Sequence, residues 1–435
     1  MPKRTVLVVA ALLCFSRISL GVEYSGKIRY RIETFRNYNL YEKLRQSESA
    51  REMLHFLRAD IRADYTFGND DNKLHLELRT AQTSGNGNAD TAFKPGDTVR
   101  LHQAYVSASG VFGRNTTLQI GRQELRYGRE LLVGADDWDN LGRDMDAVKF
   151  SLNGDTWDID AFWAWVFDPT TSYRDGTFAG LNFKHTNTFK TVKEFFAYYR
   201  YMPYLAAMSK ANLRIFNLGT RTEGKISNSV FYHWMLNWQT GRTLKYEPLF
   251  NPAVRQNHRA YNYQAQIDFF AGGSVIRNLG VEYSVSSGDK AHTDSRHETF
   301  FPMFPSDHPH SGAMDWFGYM NSEIVTFYTF YDMTPTVNGL IEFHRFHLNS
   351  GGAAWYLGNL KPAWTGASGP SPSSDAAPRD AGAELDFLWR FRPRGNTSYH
   401  LGYSVFFPGN LPKHIKWWNT SKSASWAYFQ VETRF

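Results

Sequence analysis

The chain of 435 residues carries 48 Lys and Arg against 42 Asp and Glu, a formal charge of +6, with aromatic residues at 16%. Setting aside Lys3, Arg4 and Arg17, which fall in a leader, leaves +3, too little to hold nucleic acid by bulk charge. The single cysteine, Cys14, also falls in the leader, so the mature chain offers neither a disulfide nor a thiolate metal site.

Residues 1–21 read as a secretory signal peptide. Lys3 and Arg4 precede an apolar run from Val6 to Phe15, and Ser19 and Gly21 supply small residues for cleavage near Gly21. The run is far shorter than the ~20 residues a spanning helix needs, and Leu13 before Cys14 departs from a lipoprotein signal. No later stretch approaches a transmembrane helix, and mean hydropathy is −0.47. The 24 Tyr, 33 Phe and 13 Trp are nonetheless too many for an ordinary water-exposed surface. A membrane barrel reconciles the two, because its polar lumen lowers mean hydropathy while rings such as Trp157, Trp163, Trp165, Trp234, Trp238 and Trp389 anchor it at the interfaces.

From residue 22 onward, segments of alternating character follow one another. In Lys27 to Phe35, the apolar Ile28, Tyr30 and Ile32 oppose Lys27, Arg29, Arg31 and Glu33. In Leu57 to Phe67, Arg58, Asp60, Arg62 and Asp64 form the polar face; in Lys73 to Ala81, Lys73, His75, Glu77 and Arg79 do. Further strands are expected over 98–110, 115–123, 143–152, 156–167, 177–185, 191–202, 212–223, 227–238, 259–271, 276–287, 321–332, 336–347, 382–392 and 397–407. The closing strand, 425–435, sets Ala427, Phe429, Val431, Thr433 and Phe435 against Tyr428, Gln430, Glu432 and Arg434, with Tyr428 its one inward aromatic.

The total is about 18, an even number as a single-chain bacterial barrel requires. The predicted fold is therefore all-β, a transmembrane antiparallel β-barrel occupying 22–435 as one domain, with short periplasmic turns and long extracellular loops. Those loops fall near 36–51, 124–142, 239–258, 288–320 and 350–381. Gln430, Glu432 and Arg434 are expected to pair with Lys27, Arg29, Arg31 and Glu33 in a closing seam. The expected setting is the lipid of a bacterial outer membrane, with the barrel a monomer.

Residues 120–134, IGRQELRYGRELLVG, followed by DWDN from Asp137 and RDMDAV from Arg143, closely resemble the signature of the alginate export protein family. Two further segments are similar to the same family: FPSDH from Phe304 with Gly312 and DWFG from Asp315, and FFPGN from Phe406 ahead of YFQVETRF from Tyr428. The resemblance implies an 18-stranded outer-membrane barrel whose arginine-rich constriction passes an anionic uronate polysaccharide, with periplasmic export partners.

Guanidinium groups suit such a solute independently, since they bind carboxylates bidentately and stay charged at any relevant pH. By alternation the inward basic candidates are Arg29, Arg31, Arg58, Arg62, Arg79, Arg390 and Arg434, to which the family motif adds Arg122 and Arg143. Acidic residues share that face, among them Asp60, Asp64, Glu77, Asp158, Asp160, Glu384, Asp386 and Glu432. A mixed lumen binds a polymer strongly enough to admit it and weakly enough to release it. For any single arginine the competing reading is a structural ion pair between neighbouring strands. Gly121 and Gly128 fit close backbone approach better than a phosphate cradle, because no helix follows. Trp138, Asp139 and Asn140 begin a loop expected to fold inward.

Other constellations are weaker. His292, His297, His308 and His310 share a stretch with Asp289, Asp294, Glu298 and Asp307 but lack metal-site spacing, and three prolines make a solvated loop the expectation. Asp136 and Asp137 are adjacent, without evident partners, and unsuited to sugar hydrolysis. No G-x-S-x-G occurs. The expectation is a passive channel without catalytic residues, metal or cofactor; an uptake or general porin for small acidic solutes is the alternative, and an outer-membrane enzyme or adhesive barrel the rival of another class.

Overall fold

Alternation forces extended backbone, and in lipid every strand N–H and C=O must find its partner in a neighbouring strand. The computed structural model describes residues 21–37, 51–68, 72–85, 96–166, 176–187, 189–205, 210–245, 254–273, 275–290, 294–306, 308–358, 362–364, 378–414 and 423–435. The leader lies outside the described residues, as do His292 and Asp307.

The strands are β1 (Val22–Arg36), β2 (Arg51–Phe67), β3 (Asn72–Gly85), β4 (Gly96–Ser109), β5 (Thr116–Gln123), β6 (Met145–Asn153) and β7 (Trp157–Val166). Next come β8 (Gly176–Thr186), β9 (Val192–Leu205), β10 (Lys210–Ser227), β11 (Val230–Lys245), β12 (Val254–Phe270), β13 (Asn278–Ser286) and the two-residue β14 (Arg296–His297). The chain finishes with β15 (Ser322–Thr334), β16 (Val337–Leu348), the short β17 (Trp355–Tyr356) and β18 (Pro362–Trp364), β19 (Asp380–Phe391), β20 (Thr397–Pro408) and β21 (Ala424–Arg434). Apart from β14, β17 and β18 they form one closed 18-stranded antiparallel barrel. A short helix, α1 (Asn410–His414), lies before β21.

The barrel closes where β1 meets β21. Lys27 stands opposite Arg434, Arg29 opposite Glu432, Arg31 opposite Gln430 and Glu33 opposite Tyr428, the seam that the alternation predicts. One expected loop is corrected: much of 239–258 continues β11 and β12, which pair from Val230 opposite Phe269 to Lys245 opposite Val254. The polar residues there, including Gln239, Thr243, Gln256 and His258, are buried inward-facing strand positions rather than loop. A polar lumen makes them look like loop in the sequence.

Two apolar surfaces lie on opposite sides of this single sheet. The outward rows expose Trp163, Trp165, Phe216, Leu218 and Trp238 to about half or more of their surface, far beyond the scattered apolar exposure of a soluble monomer. The inward rows meet a packed core built largely from the connections after β5, β13 and β16, including Leu132, Val133, Phe300, Phe301, Met303, Trp316, Phe317 and Trp355. Phe317 stacks on Phe346 of β16 and Trp316 packs against Phe406 of β20, so the core joins connections to wall.

The seam depends on a missing side chain. Gly26 N donates to Phe435 O at 2.9 Å, Phe435 N donates to Gly26 O at 3.1 Å, and the Phe435 ring covers the glycine. A Cβ at Gly26 would stand 2.3 Å from that ring and 2.9 Å from Asp60 O. Gly26→Val is therefore expected to cost roughly the ~1–3 kcal/mol of overpacking, seen as a lower midpoint for heat-induced loss of strand circular dichroism. An unchanged midpoint would contradict this account of closure.

Candidate functional site: a basic lumen wall clasped by an inward loop

Odd positions of β1 and β3 and even positions of β2 face the lumen, and antiparallel pairing brings their charges together. Arg29 stands opposite Arg58, Lys27 opposite Asp60, and Asp60 opposite Arg79. Unscreened, such cations would repel one another; the interleaved carboxylates hold them. Asp60 receives Arg58 Nε at 3.0 Å and Arg79 Nε at 2.6 Å. Glu77 receives Arg79 Nη2 and Arg62 Nε, each at 2.9 Å. Arg31 Nε lies 2.6 Å from Glu33.

The guanidinium donors left over reach the connection from Glu124 to Asp144, which folds inward as Trp138, Asp139 and Asn140 lead one to expect. Arg29 donates to Asp137 O at 2.6 Å, Trp138 O at 3.3 Å and Asp139 O at 3.1 Å. Arg31 donates to Trp138 O at 2.9 Å, and its guanidinium lies 3.7 Å over the Trp138 ring. Arg58 donates to Asp137 O and, at 2.8 Å, to Asp137 Oδ1, while Arg79 donates to Leu141 O at 2.7 Å. Four arginines thus grip the backbone carbonyls of Asp137, Trp138, Asp139 and Leu141 by charge-assisted bonds.

A second inward connection braces the first. Gly134 N donates to Phe304 O and Phe304 N to Leu132 O, a small parallel bridge inside the barrel. Arg143 Nη1 donates to Gly134 O, Phe304 O and Pro305 O at 3.0, 2.8 and 2.8 Å. His308 stacks on Trp138 with ring centroids 3.7 Å apart and pairs with Asp315 at 3.0 Å. The stretch expected to be a solvated histidine loop is corrected here: His297, Phe300, Phe301, Met303 and Trp316 are buried. Its aromatic and methionine content wins over its charged positions because the lumen excludes water from them.

The structure brings Arg29, Arg31, Arg58, Arg62, Arg79, Asp60 and Glu77 into one wall and places Arg143 at the root of the loop. Arg390, Glu432 and Arg434 are inward near the chain termini, where Arg434 bonds Glu432 at 2.9 Å. Asp158 and Asp160 are inward on another wall, with Lys184 3.5 Å from Asp158. Arg122 is corrected: it shares the outward parity of exposed Ile120 and forms two bonds to Asp146, at 2.8 and 3.0 Å. Gly121 beside it, at φ +129°, lets the backbone approach to a distance where a Cβ would meet Ala104 O at 2.2 Å.

Asp136 and Asp137 also differ from expectation in having partners, Arg143 for the first and Arg58 and Lys27 for the second. Trp426 joins Tyr428 as an inward aromatic of β21, its Nε1 donating to Glu33 at 3.1 Å. Two contributors stand outside the arginine candidates: Lys27, which belongs to the polar face of β1, and buried Arg200, which donates to Met303 O and lies 3.8 Å over the Phe304 ring. Arg200 sits among Phe195, Phe196, Tyr198, Tyr199 and Tyr201, and aromatics on both faces hide the alternation.

The two adjacent aspartates respond oppositely to pH. Burial pushes the Asp136 carboxyl up to about 6, against the opposing charge of Arg143. The folded chain then holds a proton the unfolded chain has lost, so this contribution is present at low pH and is lost as pH rises through about 6. Burial acts on Asp137 likewise, but Arg58, Lys27 and Arg29 outweigh it and hold its carboxyl below the ordinary value. That contribution is present above about pH 4 and is lost as pH falls further. Hydrogen-exchange protection of the Gly134 and Arg143 amides is expected to be greatest near pH ~4 and to fall from there to about 6, and Asp136→Asn to flatten that alkaline limb. Wild-type protection that climbs steadily to pH 8 would sink this reading.

Comparison with known proteins agrees with this architecture. OpdL of Pseudomonas aeruginosa superposes with a TM-score of 0.58 at 11% identity, covering 95% of this chain and 98% of that one. OpdK of the same organism, solved with vanillate, gives 0.56 at 10% identity over 95% and 98%. The outer membrane protein OprD, also from P. aeruginosa, gives 0.57 at 8% identity over 95% and 93%. At these identities the likeness is one of fold. No curated protein matches the chain significantly in sequence. The model of the alginate export family matches residues 21–415, and the chain belongs to that family.

Proposed function

We propose that the protein is a passive bacterial outer-membrane channel whose arginine-rich wall selects an anionic polysaccharide such as alginate, or its oligomers. In this reading the short turns near the chain termini face the periplasm and the long connections face the exterior. The observation that carries it is the clasp of Arg29, Arg31, Arg58 and Arg79. Their leftover donors converge on carbonyl oxygens and on the Asp137 carboxylate, a geometry that a uronate carboxylate satisfies equally well. Arg62 and Arg390 are only partly buried and Arg434 is exposed, and they extend the basic surface toward the end where the termini lie. Family membership and the porin-like fold support conduction rather than catalysis.

A second reading, uptake of small acidic solutes, is favoured by the packed connections inside the barrel, which leave less room for a polymer. The structurally similar OpdK was solved with vanillate, a small carboxylate.

In planar bilayers the wild type is expected to prefer anions, and the triple change Arg62→Ala, Arg390→Ala, Arg434→Ala to move the reversal potential toward the cation limit. Arg122→Ala, on the outward row, should leave selectivity unchanged. Cation preference in the wild type would overturn the proposal. Block of the current by oligouronates but not by monomeric uronate favours the polymer reading, and the reverse favours the small-solute one.

A further inference from the structure

Beyond β21 and β20 along the wall from β1, the strands β19 and β16 carry a different kind of surface. Glu342, His344 and Asp386 each direct one donor atom into a single space, all within 4.8 Å of one another. His344 Nε2 lies 3.2 Å from Asp386 Oδ2 and 4.0 Å from Glu342 Oε2. A tetrahedral ion held at ~2.0–2.1 Å sets its donors about 3.3 Å apart, so these positions fit with small adjustments. His344 is 2% exposed and Asp386 and Glu384 are 0% exposed. Yet, among the described residues, Asp386 Oδ1 and Glu384 Oε2 have no hydrogen-bond partner, and the group within reach of His344 Nε2 is the Asp386 carboxylate. Buried carboxylates on one inward row repel one another and lose their hydration.

The other imidazole nitrogen is fixed. His344 Nδ1 lies 2.8 Å from buried Thr326 Oγ1; with Nδ1–H donating to that oxygen, the Nε2 lone pair points at the two carboxylates. A hydrogen-bonded outer nitrogen is the usual support of a metal-ligating histidine.

We infer that Glu342, His344 and Asp386 form a binding site for a divalent transition-metal ion of the zinc or manganese type. One imidazole with two carboxylates suits such an ion, whereas calcium needs six to eight oxygens that three side chains do not supply. The site lies beneath the inward connection after β13: Met314 N donates to Glu384 Oε1 at 2.8 Å and Ala313 N to Asp386 Oδ2 at 3.4 Å. A bound ion neutralises the acidic wall on which that connection rests and ties the wall more firmly to the lumen core. The inference stands apart from the channel reading, because it concerns metal affinity rather than conduction.

The test uses the full chain in detergent micelles, treated with chelator and titrated with Co²⁺ alone. The expected result is one equivalent of Co²⁺ per chain with ligand-field absorption, displaced by Zn²⁺. Asp386→Asn and His344→Gln should each weaken binding by at least ~10-fold, and Thr326→Val, which removes only the support, by roughly 10-fold. If either buried variant fails to give the heat-resistant barrel, Glu342→Gln at its partly exposed position supplies the same readout. Absence of a Co²⁺ signal, binding that survives both Glu342→Gln and Thr326→Val, or a response to Ca²⁺ alone overturns the site.

Discussion

The structure turns on the contact between a charged barrel wall and the backbone of one inward connection. A lumen lined by Lys27, Arg29, Arg31, Arg58 and Arg79 is unstable by itself, because like charges on adjacent strands repel across a poorly hydrated space. Asp60, Glu77 and Glu33 neutralise part of that charge and fix the side chains in place. The carbonyls of Asp137, Trp138, Asp139 and Leu141 then take the donors that remain. A hydrogen bond to a charged group contributes ~1.5–3 kcal/mol, so the loop is held by many moderate bonds. No single wide apolar face does this work.

The same contact sets the order of the rest. With residues 136–142 seated on the wall, Trp138 lies under the Arg31 guanidinium, stacks on His308 and meets Trp426 and Tyr428 edge to face. His308 brings the connection after β13 with it, and Arg143 ties the two backbones together. Once that pair is in place Phe304, Phe301 and Met303 can close over Arg200, and Trp316 and Phe317 can reach β16 and β20. Interior apolar packing therefore shares its segments with the polar contact, since the connections that carry the core are the ones that the arginines and His308 hold.

How much of this the sequence discloses follows from what alternation can and cannot express. All eighteen wall strands and the β1–β21 register were legible, because a lumen facing water and a surface facing lipid impose a period of two on every residue between them. The family motif misleads on Arg122, which the structure places outward with the parity of Ile120. Tyr428 is not the one inward aromatic of its strand, because Trp426 has the same parity and is buried beside it. What the pattern cannot express is a third environment, the dry interior that the connections create. His297 and Asp289 look hydrophilic in sequence and lie buried, and Gln239 and His258 look like loop and lie in strands. The apolar density of 300–304 and 313–320 was the available sign that this stretch packs against something. Arg200, among aromatics pointing both ways, left no sign at all. The donor cluster of Glu342, His344 and Asp386 is likewise invisible to spacing, because Asp386 joins through a strand pairing and not through neighbourhood in the chain.

The barrel's two apolar surfaces have different thermodynamic standing. Lipid tails are as apolar as the outward Trp, Leu and Phe rows, so exchange between protein neighbours and lipid neighbours changes little apolar hydration. The interior core has water as its alternative. The heat capacity change on opening this protein within a membrane therefore arises almost wholly from Phe300, Phe317, Trp355 and their neighbours in the lumen. Calorimetrically, the molecule is a small globular protein carried inside a membrane wall, and its response to temperature is set by the contents more than by the container.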